Sequence, residues 1–177
     1  MLKKSKPNFK EYISKKRISK RISQLAKKIN KDYKGKKPIF IGILNGSFIF
    51  LADLIREIKV ECEIDFLKLS SYGDEKISSG EVKLLKELNC QIENRDIIIV
   101  EDIVDSGLSM KYIRDIVEAK KPASLKFISL LFKKNTSSLD FRIDYIGFEI
   151  DDKFVIGYGL DFAQSYRNLN AVYVLHC

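Results

Sequence analysis

A single histidine, His176, stands in 177 residues. That shortage excludes histidine-based triads and histidine metal centres, and it leaves any acid–base work to carboxylates, lysine or tyrosine. The cysteines, Cys62, Cys90 and Cys177, are odd in number, far apart and without metal-ligand spacing, so reduced thiols in a cytoplasm are expected. No apolar run approaches the roughly 20 residues of a membrane span. The opening Met-Leu-Lys-Lys-Ser-Lys-Pro is basic, but no apolar core follows it, which is not the pattern of a signal peptide.

What is present fits one globular domain over residues 1–177, with residues 1–8 as a basic, flexible leader. Apolar residues make up 45%, an ordinary share, and a chain of this length buries roughly 70% of its unfolded surface. The net charge of +8 is unevenly placed. Residues 1–37 hold 15 Lys or Arg against 2 acids, while the remaining 140 hold 17 against 22. The body is therefore mildly acidic and the basicity belongs to the leading segment. Residues Phe9–Lys28 read as an amphipathic helix, with Ile18, Ile22, Leu25, Ala26 and Ile29 at helical spacing, ended by Gly35 and Pro38. A packed helix with a solvated basic face is favoured over a nucleic-acid arm, because aromatics for base stacking are sparse.

The stretch with most chemistry is Ile97–Ser109, I-I-I-V-E-D-I-V-D-S-G-L-S. Ile97–Val100 is a β-branched apolar run suited to a buried strand. Two acids, Glu101 and Asp102, close it, and Asp105 precedes Ser106-Gly107-Leu108-Ser109. A helical pattern follows, with Met110, Ile113, Ile116 and Val117 on one face. Strand, tight loop and helix place this loop at the carboxyl end of a strand, where open α/β sheets bind ligands. Gly107 permits a positive φ or a close approach, so successive N–H groups can face one anion. Ser106 and Ser109 add hydroxyls, and the helix N-terminus adds its dipole. Phosphate suits that nest, whereas the carboxylates suit sugar hydroxyls or a divalent cation bridging phosphates. Together they describe a phosphorylated ribose.

This string resembles the 5-phosphoribosyl-1-pyrophosphate loop of the purine phosphoribosyltransferases, in which a double acid precedes Asp-Ser-Gly-x-Ser; it is most similar to the 6-oxopurine branch. The resemblance runs from about Ile18 to Leu175. It implies an α/β, type I phosphoribosyltransferase fold: a mostly parallel sheet flanked by helices, with a small hood from the C-terminal strands and the leading residues. It also implies Mg2+, a cytoplasmic enzyme, a homodimer or homotetramer, and no specific nucleic-acid partner.

Other stretches take roles from the same resemblance. Ile39–Leu44 is a buried strand ending in Asn45-Gly46-Ser47, before a helix with Leu51, Leu54, Ile55 and Ile58 inward. The resemblance makes Leu44, Asn45 and Gly46 a pyrophosphate-binding turn, with a cis peptide at Leu44–Asn45. Cys62–Ser70 alternates as a strand, Val82–Leu85 is a further one, and the polar segment between them is a hairpin tip or a lid. Ser71 and Tyr72 match a family pair that closes over the reacting centre. Ser124–Phe132 is a strand leading to Lys133, which matches the lysine that donates to a purine 6-oxo group. In the tail, the resemblance stacks Phe154 on the purine and sets the Val155 backbone at its edge. It also makes Asp161 a ligand of a second magnesium and Arg167 a pyrophosphate contact. Glu101 and Asp102 hold ribose hydroxyls and metal, the loop Ser106–Ser109 holds the 5′-phosphate, and Asp105 manages the proton on purine N7. Two alternatives stay open: a related transferase preferring xanthine, and a nucleic-acid-binding regulator of the same fold.

Overall fold

A computed structural model describes residues 8–71 and 82–175. The order of elements is β1 (Phe9–Ile13), α1 (Lys15–Asp32), β2 (Ile39–Leu44), α2 (Phe48–Glu57), β3 (Glu63–Ser71), β4 (Val82–Lys86), β5 (Asp96–Val104), α3 (Leu108–Glu118), β6 (Ser124–Phe132), β7 (Tyr145–Glu149), β8 (Val155–Ile156) and β9 (Val172–Leu175). Six strands form one sheet in the order β4-β3-β2-β5-β6-β7. Every pairing in it is parallel except β3 with β4. A three-stranded antiparallel sheet, β1-β9-β8, joins the two ends of the described chain.

The apolar runs are continuous because the central strands are covered on both faces. Ile98 and Val100 of β5 point into a core with Phe40, Phe50, Leu54, Ile128 and the stripe of α1. Their neighbours Ile97 and Ile99 point the other way, against Met110, Ile113 and Val117 of α3. Successive side chains on one strand thus serve opposite cores, as the period of two requires. The buried residues of α1 are Ile18, Ile22, Leu25, Ala26 and Ile29, so the lysines lie outward. Arg21 reaches back to donate to the Ile146 and Gly147 carbonyls of β7 at 2.8 and 2.7 Å. It satisfies acceptors on an edge strand that has no further strand beside it.

Two elements differ from the sequence reading. Phe9–Ile13 is a strand rather than the first turns of a helix, and α1 begins only after Ser14, whose hydroxyl accepts from the Arg17 N–H. The cause is tertiary: β1 pairs residue by residue with β9. Strand β5 also runs beyond Val100 to Val104, because Ile103 and Val104 continue the ladder opposite Leu131 and Phe132. Glu101 and Asp102 are therefore strand residues, fixed by backbone pairing on the β6 side.

The strand order sets the site. From β2 the chain goes to β3 on one side, and it later returns to β5 on the other. The carboxyl ends of β2 and β5 flank the point where the sheet's winding reverses, and the crevice there is the favoured ligand position in open α/β sheets.

Candidate active site

The turn after β2 and the loop after β5 meet in that crevice. Gly46 lies so close to the Asp102 carboxylate that any Cβ at position 46 would collide with it. The Leu44–Asn45 peptide bond is cis. Across from it, Gly107 adopts φ +85 and caps α3 without any side-chain cap. A side chain at 107 would be strained in that conformation and would press on Leu139. The first turn of α3 thus keeps backbone N–H groups available to an anion. A cavity of about 210 Å³ is bounded by Leu44, Glu101, Asp102, Asp105, Ser106, Gly107 and Ser109. Leu108 points outward and is 53% exposed.

Glu101 and Asp102 are both buried. Burial raises both carboxyls above their ordinary range; the Asp102 charge drives Glu101 well up, while the hydrogen bond from Glu101 partly offsets the rise at Asp102. Buried adjacent acids are costly unless hydroxyl donors or a cation satisfy them. Such an arrangement suits a ligand that brings both.

A second cavity, about 270 Å³, shares Asp102, Ile103 and Asp105 with the first and continues to Lys133, Phe154, Val155, Leu160 and Asp161. Asp105 stands at the seam. Lys133, at the end of β6, is 7% exposed and donates to Asp105 at 2.7 Å and Asp152 at 2.9 Å. Burial alone would lower the Lys133 ammonium, but these two carboxylates outweigh it and hold its pKa above the usual value. For Asp105 burial again acts first, upward, and is overcome by hydrogen bonds from Lys133 and Thr136, so the carboxyl sits below its ordinary range. At neutral pH the pair is a carboxylate and an ammonium: one acceptor and one donor-only group.

The segment that closes the second cavity comes from the three-stranded sheet and its connections. Phe154 is 53% exposed and meets Phe162 edge-on at 5.7 Å between ring centres. Val155 is buried in β8. Arg167 pairs with Asp161 at 2.7 Å and donates to the Gly159 carbonyl at 2.8 Å. These two site candidates therefore engage each other here. Gly159 in turn lies against the Gly46 carbonyl, where a side chain would not fit. Ser71 ends β3, and Tyr72 falls outside the described residues.

Several participants were not singled out by sequence. Asp152, Thr136 and Ser138 look like ordinary turn residues until the fold brings them to Lys133, Asp105 and the Ser106 carbonyl. The available signal was the cluster Asn135-Thr136-Ser137-Ser138 directly after a strand-end lysine.

Comparison with known proteins agrees with this geometry. A family model described as a phosphoribosyl transferase domain matches residues 9–163. The chain belongs to the phosphoribosyltransferase family. Among curated relatives of this family, the hypoxanthine-guanine phosphoribosyltransferase of Bacillus subtilis is 44% identical over 163 residues, covering 92% of this chain and 91% of that protein. The hypoxanthine phosphoribosyltransferase of Buchnera aphidicola is 45% identical over 166 residues, 93% and 94% of the two chains. Among solved phosphoribosyltransferases, a hypoxanthine-guanine enzyme from Bacillus anthracis superposes with a TM-score of 0.90 at 40% identity, covering 97% of this chain and 100% of that one. These neighbours share the mostly parallel sheet flanked by helices, so the phosphoribosyltransferase fold expected from the sequence is the fold observed.

Proposed function

We propose that the chain is a purine-salvage transferase that joins hypoxanthine, and guanine, to 5-phosphoribosyl-1-pyrophosphate, releasing the nucleoside monophosphate and pyrophosphate. The observation that carries the reading is the pair of cavities meeting at Asp105. One is lined by an anion nest and two buried acids, the other by a buried ammonium and an exposed aromatic. A phosphorylated sugar suits the first and a flat base bearing a carbonyl suits the second.

In this mechanism the purine N9 attacks C1′ of the ribose, the bond from C1′ to pyrophosphate oxygen breaks, and the N7 proton passes to the Asp105 carboxylate. The backbone of Ser106–Ser109 anchors the 5′-phosphate through its N–H groups. Glu101 and Asp102 accept from the ribose hydroxyls. Leu44, Asn45 and Gly46 offer backbone groups to pyrophosphate, and Arg167 supplies a guanidinium charge, so catalysis is mostly positioning and charge stabilisation. Phe154 stacks on the base, the Val155 backbone meets its edge, and Lys133 donates to the 6-oxo oxygen. The same proposal gives Ser71 and Tyr72 a part in excluding water from the reaction.

The donor set fits Mg2+. Among the described residues no group of three or more His, Cys, Asp or Glu forms a ready cage, and Mg2+ commonly takes one or two carboxylates together with substrate oxygens. Glu101 and Asp102 are the residues that would hold one ion and Asp161 a second, and the ions would supply neutralisation of pyrophosphate charge.

The protein acts as a cytoplasmic homodimer or homotetramer. No helix among the described residues is long and apolar enough to cross a membrane. Phe48 and Ile64 stay 42% and 47% exposed and line neither cavity, so they offer apolar area for association. The deciding experiment is a base panel of hypoxanthine, guanine, xanthine and adenine with 5-phosphoribosyl-1-pyrophosphate and Mg2+. Nucleotide formation with the first two and not with adenine supports the reading, whereas conversion of adenine alone rejects it.

A further inference from the structure

The segment that follows Lys133 folds back over the loop carrying Asp105. The Lys133 N–H donates to the Val104 carbonyl at 2.9 Å, and the Ser138 N–H and hydroxyl donate to the Ser106 carbonyl at 3.0 and 3.1 Å. The backbone on both sides of Asp105 is therefore stitched to one short stretch of chain. Within that stretch the Thr136 hydroxyl lies 2.8 Å from Asp105 Oδ1, while Lys133 Nζ lies 2.7 Å from Oδ2. Each carboxylate oxygen has its own donor, on opposite sides of the group.

We infer that Thr136 is a positioning residue for the transfer reaction, its hydroxyl fixing the plane of the Asp105 carboxylate at the seam of the two cavities. The inference rests on the reading of Asp105 as proton acceptor and adds a residue to it. The Asp105 side chain is 54% exposed, so packing does not set its orientation, and one hydrogen bond from Lys133 leaves the carboxylate free to swing about its terminal torsion, which is soft. A second donor on the other oxygen removes that freedom. A threonine hydroxyl has one proton to give. The other acceptor in reach, the Lys133 carbonyl at 3.4 Å, is the poorer of the two, so the proton is directed to Asp105. Proton transfer is sensitive to small misplacement of the accepting atom, which gives the hydroxyl its leverage.

The test uses the full chain with Thr136→Val, Thr136→Ser, Asp105→Asn and the Thr136→Val/Asp105→Asn double variant. Loss of a hydrogen bond to a partly exposed charged group corresponds to about three- to tenfold. Thr136→Val is expected to lower kcat by that factor with the KM for 5-phosphoribosyl-1-pyrophosphate within about twofold. Thr136→Ser restores it. Without the hydroxyl the carboxylate is less stabilised, so the acid limb of kcat/KM moves to higher pH in Thr136→Val and returns in Thr136→Ser. The charged groups facing Asp105 are Lys133 with Asp152 behind it, Lys153, Asp161 and Asp102 on the same cavity, and Glu101 on the adjoining one; all are unchanged in both variants. In the Asp105→Asn background Thr136→Val should cost nothing further, as expected of residues acting as one unit. The inference is overturned if Asp105→Asn is impaired while Thr136→Val has wild-type kcat and pH profile. It is equally overturned if the valine loss resists rescue by serine and persists beside Asp105→Asn, since that marks a disturbed turn. Near-normal turnover in Asp105→Asn overturns the reading of Asp105 itself, and this inference with it.

Discussion

Replacing Lys133 by Gln tests the base end of the site most directly. The Lys133 ammonium has three N–H donors, of which Asp105 and Asp152 take two. The third can meet a ligand in the 270 Å³ cavity. With no acceptor of its own, the group favours a carbonyl and disfavours the amino group that adenine carries at the same position. The side chain is only 9% exposed, so solvent does little to weaken that preference. A hydrogen bond from a charged donor contributes about 1.5–3 kcal/mol, which corresponds to about ten- to a hundredfold. Lys133→Gln keeps a neutral donor on a side chain one atom shorter but loses the charge, and kcat/KM for hypoxanthine should fall by at least the lower end of that factor. The KM for 5-phosphoribosyl-1-pyrophosphate should stay within a few-fold, because its cavity is lined by other residues. Steady-state kinetics on the four bases, beside a thermal melt showing a folded protein, provides the measurement. Unchanged hypoxanthine kinetics in a folded Lys133→Gln protein would refute the assignment of the 6-oxo contact to this lysine.

Four further outcomes can be measured. Asp105→Asn should lower turnover by about 10²–10⁴-fold while equilibrium binding of 5-phosphoribosyl-1-pyrophosphate stays within a few-fold; a matching loss in binding would show that the residue holds the ligand rather than the proton. Asp65, buried in β3, is pushed up by burial but brought down to about 2 by the backbone N–H groups of Cys90, Phe66 and Asn89. Its folded value lies below the ordinary 3.8, so its contribution is present above about pH 4 and is lost as pH falls toward 2, and Asp65→Asn should cost up to about 2.5 kcal/mol at neutral pH. Urea unfolding at pH 7 and pH 3 checks this, and a cost that does not shrink in acid contradicts it. Deleting residues 1–8 should leave transferase activity intact, since β1 begins at Phe9, whereas deleting 1–13 removes the partner of β9 and should impair folding or turnover. Any RNA or DNA binding by the basic segment should be sequence-independent and largely gone at physiological salt; tight, salt-resistant binding to one sequence would instead favour a regulator.

How far a sequence can be read here depends on the range of the interactions. Ile39–Leu44 and Ser124–Phe132 are strands over the residues expected, because a run covered on both faces is mostly apolar, broken in the second only by Ser124, Lys126 and Ser129. The α1 stripe was equally visible, since the five residues at helical spacing are the five buried. Phe9–Ile13 was hidden because its strand character comes from β9 at the far end of the chain. Asp65 was hidden too: an acid between Ile64 and Phe66 looks like the outward side of an alternating strand. Only the fold shows that it accepts from Asn89 and Cys90 at 2.6 and 3.0 Å and so ties the connection after β4 to β3. The thirteen residues Ile97–Ser109 were informative because strand, acids, nest and helix are contiguous. The partners of Asp105, from residues 133 and 136, could be joined to it only by the parallel pairing of β5 with β6.

That pairing also explains why Lys133 and Asp105, the two groups to which the proposed reaction gives the base contact and the proton, are found together. Parallel strands present their carboxyl ends at one edge, and in-register pairing of Val104 with Phe132 brings Asp105 and Lys133, the next residue on each strand, side by side. The ion pair between them needs no loop to find it. The other closure is made without side chains at two contacts. Gly46 admits the Asp102 carboxylate, and Gly159 admits the Gly46 carbonyl, so the turn after β2, the end of β5 and the hood converge at van der Waals range. A Cβ at either glycine would push these pieces apart, and the two cavities would no longer share Asp105 as a common wall. The proposed reacting centre is thus framed by backbone, at the carboxyl edge of one sheet and under one edge of another. Thr136 and Lys133 each donate to the Asp105 carboxylate there, and Asp152 holds the lysine from behind.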